Sequence, residues 1–206
     1  ALTDARENIE AGREGMVQDP NSGLFSRKYL ELQAAQALSH AARYGLEVSI
    51  MVLGFDAYDQ VCLRLGNTVA EQVGSRFGKM LAGKVRQEDS LGHYAAGQYA
   101  IIAPGTSPIL CAAFAERVRE AVEVAHVAVQ GQSISLTVSI GVASIPGDVA
   151  NSAFALLGLA GQRMQEAMLA GGNRIVAGTS SAAPVRQIKL QHALELIAAH
   201  KEEAVL

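Results

Sequence analysis

Apolar residues change their spacing several times along this chain, and each change marks a new element. Ser26 is a residue type that caps helix N-termini, and Tyr29, Leu30, Leu32 and Ala37 follow it, so a helix is expected to run to about Gly45 with these residues on its inner side. Val48, Ile50, Met51, Val52 and Leu53 then form a short continuous apolar run, the pattern of a buried strand within Glu47 to Phe55. From Tyr58 the spacing turns helical again, breaks at Gly66-Asn67, and resumes with Val69, Val73, Phe77 and Leu81 four residues apart. Ser90 to Tyr94 and Gln98 to Ala103 flank the small residues Ala95-Ala96-Gly97, which predicts a hairpin. Leu110, Phe114, Val118 and Val122 predict one more helical stripe.

The most regular pattern comes next. Ile134, Leu136, Val138 and Ile140 alternate with Ser133, Ser135, Thr137 and Ser139, the signature of a half-buried antiparallel strand. Phe154, Leu157, Met164 and Met168 mark a further helix closed by Gly171-Gly172, and Asn173 to Ala177 can supply a last short strand. Strands alternating with helices, plus hairpins, give an α/β or α+β sandwich.

The ends read differently. Residues 1–18 carry Leu2, Ile9 and Met16 at roughly heptad spacing among charges, a stalk or linker helix able to pair with a second copy. Asp19-Pro20-Asn21-Ser22-Gly23 is rich in turn formers and ends it. Gly178 to Pro184 is a Gly/Ser/Thr/Ala/Pro linker, and residues 179–206 continue with Ile188, Leu194, Ile197 and Val205, as a helix opening a following domain would. The chain starts with Ala rather than Met, which suggests a piece of a longer protein.

Composition narrows the function classes. The 206 residues suit one globular domain, residues 19–178, with short extensions. Lys+Arg 17 against Asp+Glu 20 leaves a net charge of -3, which argues against tracking a nucleic-acid backbone. Cys62 and Cys111 lie far apart with no C-x-x-C, so neither a disulfide scaffold nor a zinc ribbon is expected, and a reducing, cytoplasmic setting fits. No apolar stretch approaches the roughly 18 residues of a membrane span. No Gly-rich phosphate loop of P-loop type is present.

Three phrases, collinear over residues 19–178, carry a resemblance. Asp19-Pro20-Asn21-Ser22-Gly23-Leu24-Phe25-Ser26-Arg27 resembles a D-x-L-T-G-L-x-N-R opening, Thr137-Val138-Ser139-Ile140-Gly141-Val142-Ala143 a V-S-I-G-V-A strand, and Gly171-Gly172-Asn173-Arg174 a G-R-N ending. Together they are similar to the GGDEF family of diguanylate cyclases, which join two GTP molecules into cyclic di-GMP. The resemblance implies a nucleotidyl-cyclase palm-like fold, a mostly antiparallel five-stranded sheet wrapped by helices.

The resemblance also says what the chemistry needs. Magnesium on the triphosphate wants carboxylate oxygens. The family supplies them from an Asp at the end of the first strand and from the acidic third residue of the signature hairpin. Here those positions are Gly54 and Gly97, and Asp56, matching the family's second strand-end Asp, cannot replace both. The signature aligns with Ala95-Ala96-Gly97-Gln98-Tyr99, so only its aromatic end survives, as Tyr99. The guanine-reading Asn and Asp have become Cys62 and Glu71, and the phosphate-side Lys, Arg and Lys have become Met168, Gly172 and Asp59. No metal ligand and no cofactor are therefore expected, and the chain is read as no enzyme.

One constellation of the family stays whole. Its inhibitory R-x-x-D site, five residues before the signature, matches Arg86-Gln87-Glu88-Asp89, and a further Arg in an A-E-R phrase matches Arg117. Two guanidiniums can each donate a pair of bonds to guanine O6 and N7 or to phosphate, while a carboxylate accepts from guanine N1–H and the exocyclic amine. The expected ligand is cyclic di-GMP, held by Arg86, Asp89 and Arg117. Bland readings stand beside this one: Arg117 paired with Glu120 or Glu88, Glu71 a surface residue, His93 structural, both cysteines small core residues. Two other functions compete with a sensor, a nucleotide-free dimerisation or docking pseudoenzyme joined to partner signalling domains, and a residual cyclase.

Overall fold

The computed structural model describes residues 17–19, 22–56, 58–129 and 132–178, with the side chains of 126–135 left aside. Apart from Val17 and Gln18, the expected stalk over 1–18 and the expected linker and helix over 179–206 lie outside the described residues. Helix α1 (Arg27–Tyr44) begins where Ser26 Oγ accepts the Tyr29 backbone N–H and ends at Gly45, whose left-handed φ of 66 suits a residue without Cβ. Its inner row is Leu30, Ala34 and Ala41, with Leu32 half exposed instead of inward. The inner residues follow the 3.6-residue repeat, and Leu32, two positions past Leu30, points to the other side.

Strand β1 (Val48–Phe55) is buried along its whole length. It is followed by α2 (Tyr58–Leu65), by α3 (Asn67–Ala82) beyond the expected break at Gly66, and by the hairpin β2 (Ser90–Ala95) and β3 (Gln98–Pro104). Next come α4 (Pro108–Glu123), a two-stranded pair β4 (His126–Val129) and β5 (Gln132–Ser135), then β6 (Val138–Ile145), α5 (Ala153–Leu169) and β7 (Ile175–Val176). The main sheet runs β2-β3-β1-β6-β7, antiparallel except for the parallel β6/β7 pair. The expected mostly antiparallel five-stranded α+β sheet is thus the observed one. Among the described residues, no helix is long and apolar enough to cross a membrane.

One core fills each face. Phe55, Phe77, Tyr99, Val118 and Ile140 belong to the face under α3 and α4, and Leu30, Ile50, Ile102, Leu156 and Met164 to the face under α1 and α5. The expected α4 stripe holds at Val118 and Val122, but its first half is shifted by one residue: Cys111 and Ala115 are buried and Leu110 is exposed. Phe154 is likewise exposed, at the first turn of α5.

The long alternating strand is where the pattern misleads most. It divides after Ser135, and β6 is covered on both faces rather than one, because it lies between β1 and β7 with α4 on one side and α5 on the other. Of the alternating polar residues, Ser139 is buried and its Oγ donates to Asp56, as does Thr137 Oγ1; Ser49 on β1 and Ser144 on β6 are buried as well, Ser49 Oγ donating to Thr106 O at 2.7 Å and sharing a 2.7 Å bond with Ser144 Oγ. Helix α5 packs so closely that a Cβ at Gly141 would collide with the Ala160 carbonyl and the Met164 amide.

Candidate functional site

Two places inherit the resemblance, the cleft at the ends of β1 and the β2/β3 hairpin, and the loop before β2. In the first, Gly54 and Gln98 are paired across β1 and β3. A Cβ at Gly54 would lie 2.5 Å from both Met164 Sδ and Met168 Cε, and 3.5 Å from Gln98 Cγ. The space beside the strand end is therefore filled from α5 by two thioethers. At the hairpin tip, Gly97 takes a φ of 65, and a Cβ there would meet the Tyr58 ring at 2.5 Å. Burial raises the Tyr58 phenol above its usual range, with neighbouring Cys62 adding to the shift. Tyr99, the surviving signature aromatic, faces away from the cleft into the core, where its hydroxyl donates to Gly74 O at 2.7 Å and its ring packs on Phe77.

Asp56 is fully engaged. Its carboxylate accepts from Thr137 Oγ1 at 2.6 Å, Ser139 Oγ at 2.5 Å and the Asn173 backbone N–H at 2.8 Å. A Cβ at Gly172 would press on this carboxylate at 2.8 Å, so the family's Arg position is packed against it. Asn173 also donates to Glu123 and accepts from Arg119, and Arg119 pairs with Glu116 and Glu123 at 2.8 Å. The G-R-N-like ending thus holds the start of β6 and the end of α4 together. Two glycines without side-chain oxygens, a carboxylate already holding three donors, and thioethers beside them do not fit a magnesium ion, which needs several oxygen ligands. Among the described residues, no group of three or more His, Cys, Asp or Glu could hold a metal ion.

The opening motif proves structural as well. His93 Nε2 bonds Ser22 Oγ at 2.7 Å and lies 3.8 Å from Asp19 Oδ1, which ties the opening turn to β2. Arg27 donates to Tyr94 O at 3.0 Å and sits over the Tyr94 ring. Burial pushes the Cys111 thiol up to about 12, an inert core group, and Glu71 is exposed on α3.

The second place is the loop between α3 and β2. The Arg86 backbone N–H donates to Asp89 Oδ2 at 3.0 Å, and the exposed Arg86 guanidinium reaches Glu88 only at 3.9 Å. Asp89 Oδ1 is buried with no hydrogen-bond partner among the described residues. Burial raises the Asp89 carboxyl, opposed by the Arg86 N–H and reinforced by Glu88. A folded-state value above the unfolded one means that ionised Asp89 costs stability: its contribution is favourable below the ordinary aspartate range and is lost as pH rises through the folded value. Asp89→Asn is expected to raise the melting temperature of the ligand-free domain at pH 7, with the gain shrinking below about pH 4. An unchanged or lowered melting temperature at pH 7 would count against an unpaired Asp89 charge. Arg117 is exposed midway along α4 with its guanidinium 5.6 Å from the Phe114 ring centroid, and Glu116 pairs with Arg119 instead. Val85, just before the motif, and Phe114, beneath Arg117, pack against the same core. The loop therefore brings Arg86 and Asp89 together, while Arg117 stands on a separate element with no bond to either among the described residues.

Comparison with known proteins agrees with this architecture. The family model described as diguanylate cyclase, GGDEF domain, matches residues 16–174. The response regulator PleD of Caulobacter vibrioides is 28% identical over 176 residues, 83% of this chain and 38% of that protein. Diguanylate cyclase DgcP of Pseudomonas aeruginosa is 24% identical over 168 residues, 82% of this chain and 25% of that protein. The chain thus spans well under half the length of these relatives. Among solved structures, the coiled coil and GGDEF domain of DgcB from Caulobacter crescentus in complex with c-di-GMP superimposes with a TM-score of 0.76 at 21% identity, covering 86% of this chain and 93% of that one. The FimX GGDEF domain from Pseudomonas aeruginosa gives 0.72 at 21% identity, covering 77% and 98%. With the fold, the collinear motifs and a family match over most of its length in agreement, this chain belongs to the GGDEF domain family of diguanylate cyclases.

Proposed function

We propose that this domain is a catalytically silent GGDEF module that binds cyclic di-GMP through Arg86, Asp89 and Arg117 and passes the signal to attached or partner domains. Silence is supported by the donor count. Where two nucleotides and their magnesium would need carboxylates, the chain offers Gly54 and Gly97, with Met164, Met168 and Tyr58 occupying the adjoining space.

The observation that carries the sensor reading is the state of Asp89. A half-buried carboxylate with one oxygen unpaired among the described residues is held at a cost, and it gains by turning outward to a ligand's N–H donors. Arg86 beside it is exposed and held only by a 3.9 Å contact to Glu88, which its fork gives up on turning to guanine or phosphate. The DgcB GGDEF domain, solved in complex with c-di-GMP, supports the choice of ligand.

Titration calorimetry with cyclic di-GMP tests the proposal. Saturable heat is expected, and Arg86→Ala is expected to weaken binding about tenfold to a hundredfold, corresponding to the loss of one bidentate contact. Absent heat, or binding untouched by Arg86→Ala, removes the sensor. Formation of cyclic di-GMP from GTP and magnesium overturns the silence.

A further inference from the structure

The loop that carries Arg86 and Asp89 straddles the edge of the sheet. Ser90 pairs with Ile102, whose side chain belongs to the core under α1, so Glu88 and Ser90 border that face. Val85, just before Arg86, packs against the core of the opposite face. On the α1 side lies a cavity of about 330 Å³, within the range of small-ligand sites. Ala37, Ala41, Val48 and Ile102 are among its apolar lining, and its ionisable lining is Glu47, Glu88 and His40.

We propose that this groove receives a cationic side chain, a lysine or arginine presented by a partner segment, and that its occupation frees the Arg86 guanidinium. The apolar lining suits an aliphatic stem, and the two carboxylates suit the charged head, as long basic side chains prefer. Arg86 and Glu88 are both more than half exposed and 3.9 Å apart, a contact that a second cation readily replaces. Glu88 is thus shared by the groove and the loop, and a cation on one side releases a cation on the other. The groove stands by itself; the coupling rests on the cyclic di-GMP reading above.

The probe is N-acetyl-lysine N-methylamide, with the norleucine analogue as its uncharged match, followed by methyl NMR at Ala37, Ala41, Val48 and Ile102. Saturable shifts in the millimolar range are expected for the lysine probe, with much weaker ones for norleucine. Glu47→Gln is expected to weaken the lysine probe roughly fivefold, and Glu47→Lys to remove its binding. No saturable shift, an equal response to norleucine, or indifference to both Glu47 variants overturns the groove. Saturating lysine probe is expected to tighten cyclic di-GMP binding by about twofold. Probe binding with no cyclic di-GMP binding at all brings down the sensor and the coupling and leaves the groove. Both ligands binding independently brings down the coupling alone.

Discussion

Gly54→Asp, which would restore the family's strand-end carboxylate, is expected to destabilise the domain by about 3 kcal/mol and to produce no cyclase activity. Overpacking contributes first. A Cβ here lies 2.5 Å from two methionine side chains, and forcing atoms into a filled site typically costs about 1–3 kcal/mol. The carboxylate adds the cost of an unpaired polar group among thioethers, about 1–3 kcal/mol more. Urea unfolding followed by circular dichroism measures the sum, with Gly54→Ala isolating the steric part. Met168→Ala placed on top of Gly54→Asp is expected to recover part of the loss, although alone it removes a packed side chain and costs stability. Strict additivity of the two changes would show that Met168 is not what occupies the space.

Arg163→Ala is expected to cost about 3–5 kcal/mol, the loss typical of breaking a buried ion pair by removing one partner. Arg163 holds Asp148 with two bonds, at 2.6 and 2.8 Å, and donates to Val142 O at 2.7 Å, with both side chains nearly buried. Asp148 also accepts from the Ser144 backbone N–H, so the pair joins the end of β6 to α5. The Arg163 guanidinium holds the Asp148 carboxyl below the usual aspartate range. Its folded value is depressed, so this stabilisation is present above the unfolded aspartate value near about 3.9 and is lost as pH falls through the folded value. Acid unfolding of the Arg163→Ala variant should consequently lack that component. Equal stability of variant and parent at pH 7 would mean that water, not Arg163, satisfies Asp148.

These expectations show where the sequence is readable. Ser26, Gly45 and the Gly66-Asn67 break set helix ends because capping and left-handed geometry are local properties of a few residues. Burial was less legible. Leu32, Leu110 and Phe154 sit on helices whose inner face is chosen by Ala and Cys positions, since small residues permit the close approach that large ones then flank. The β4/β5 pair went unseen because His126–Val129 is short and follows directly on a helical stripe. At the site, the glycines at 54 and 97 are plain in the sequence. That Met164, Met168 and Tyr58 stand beside them was not, because those contacts join residues far apart in the chain.

By itself the sequence determined the family, the order of most elements, the glycines at 54 and 97 and the presence of the R-x-x-D phrase, all properties of residue type and spacing. Only the tertiary structure decided that Asp56 is bound up by β6 and the loop before β7, that Tyr99 serves the core, and that Asp89, beside a groove at a sheet edge, holds an oxygen unpaired among the described residues. The physical reason is that hydrogen-bond satisfaction and burial depend on which distant groups meet, and that is settled when the strands pair and the helices close over them.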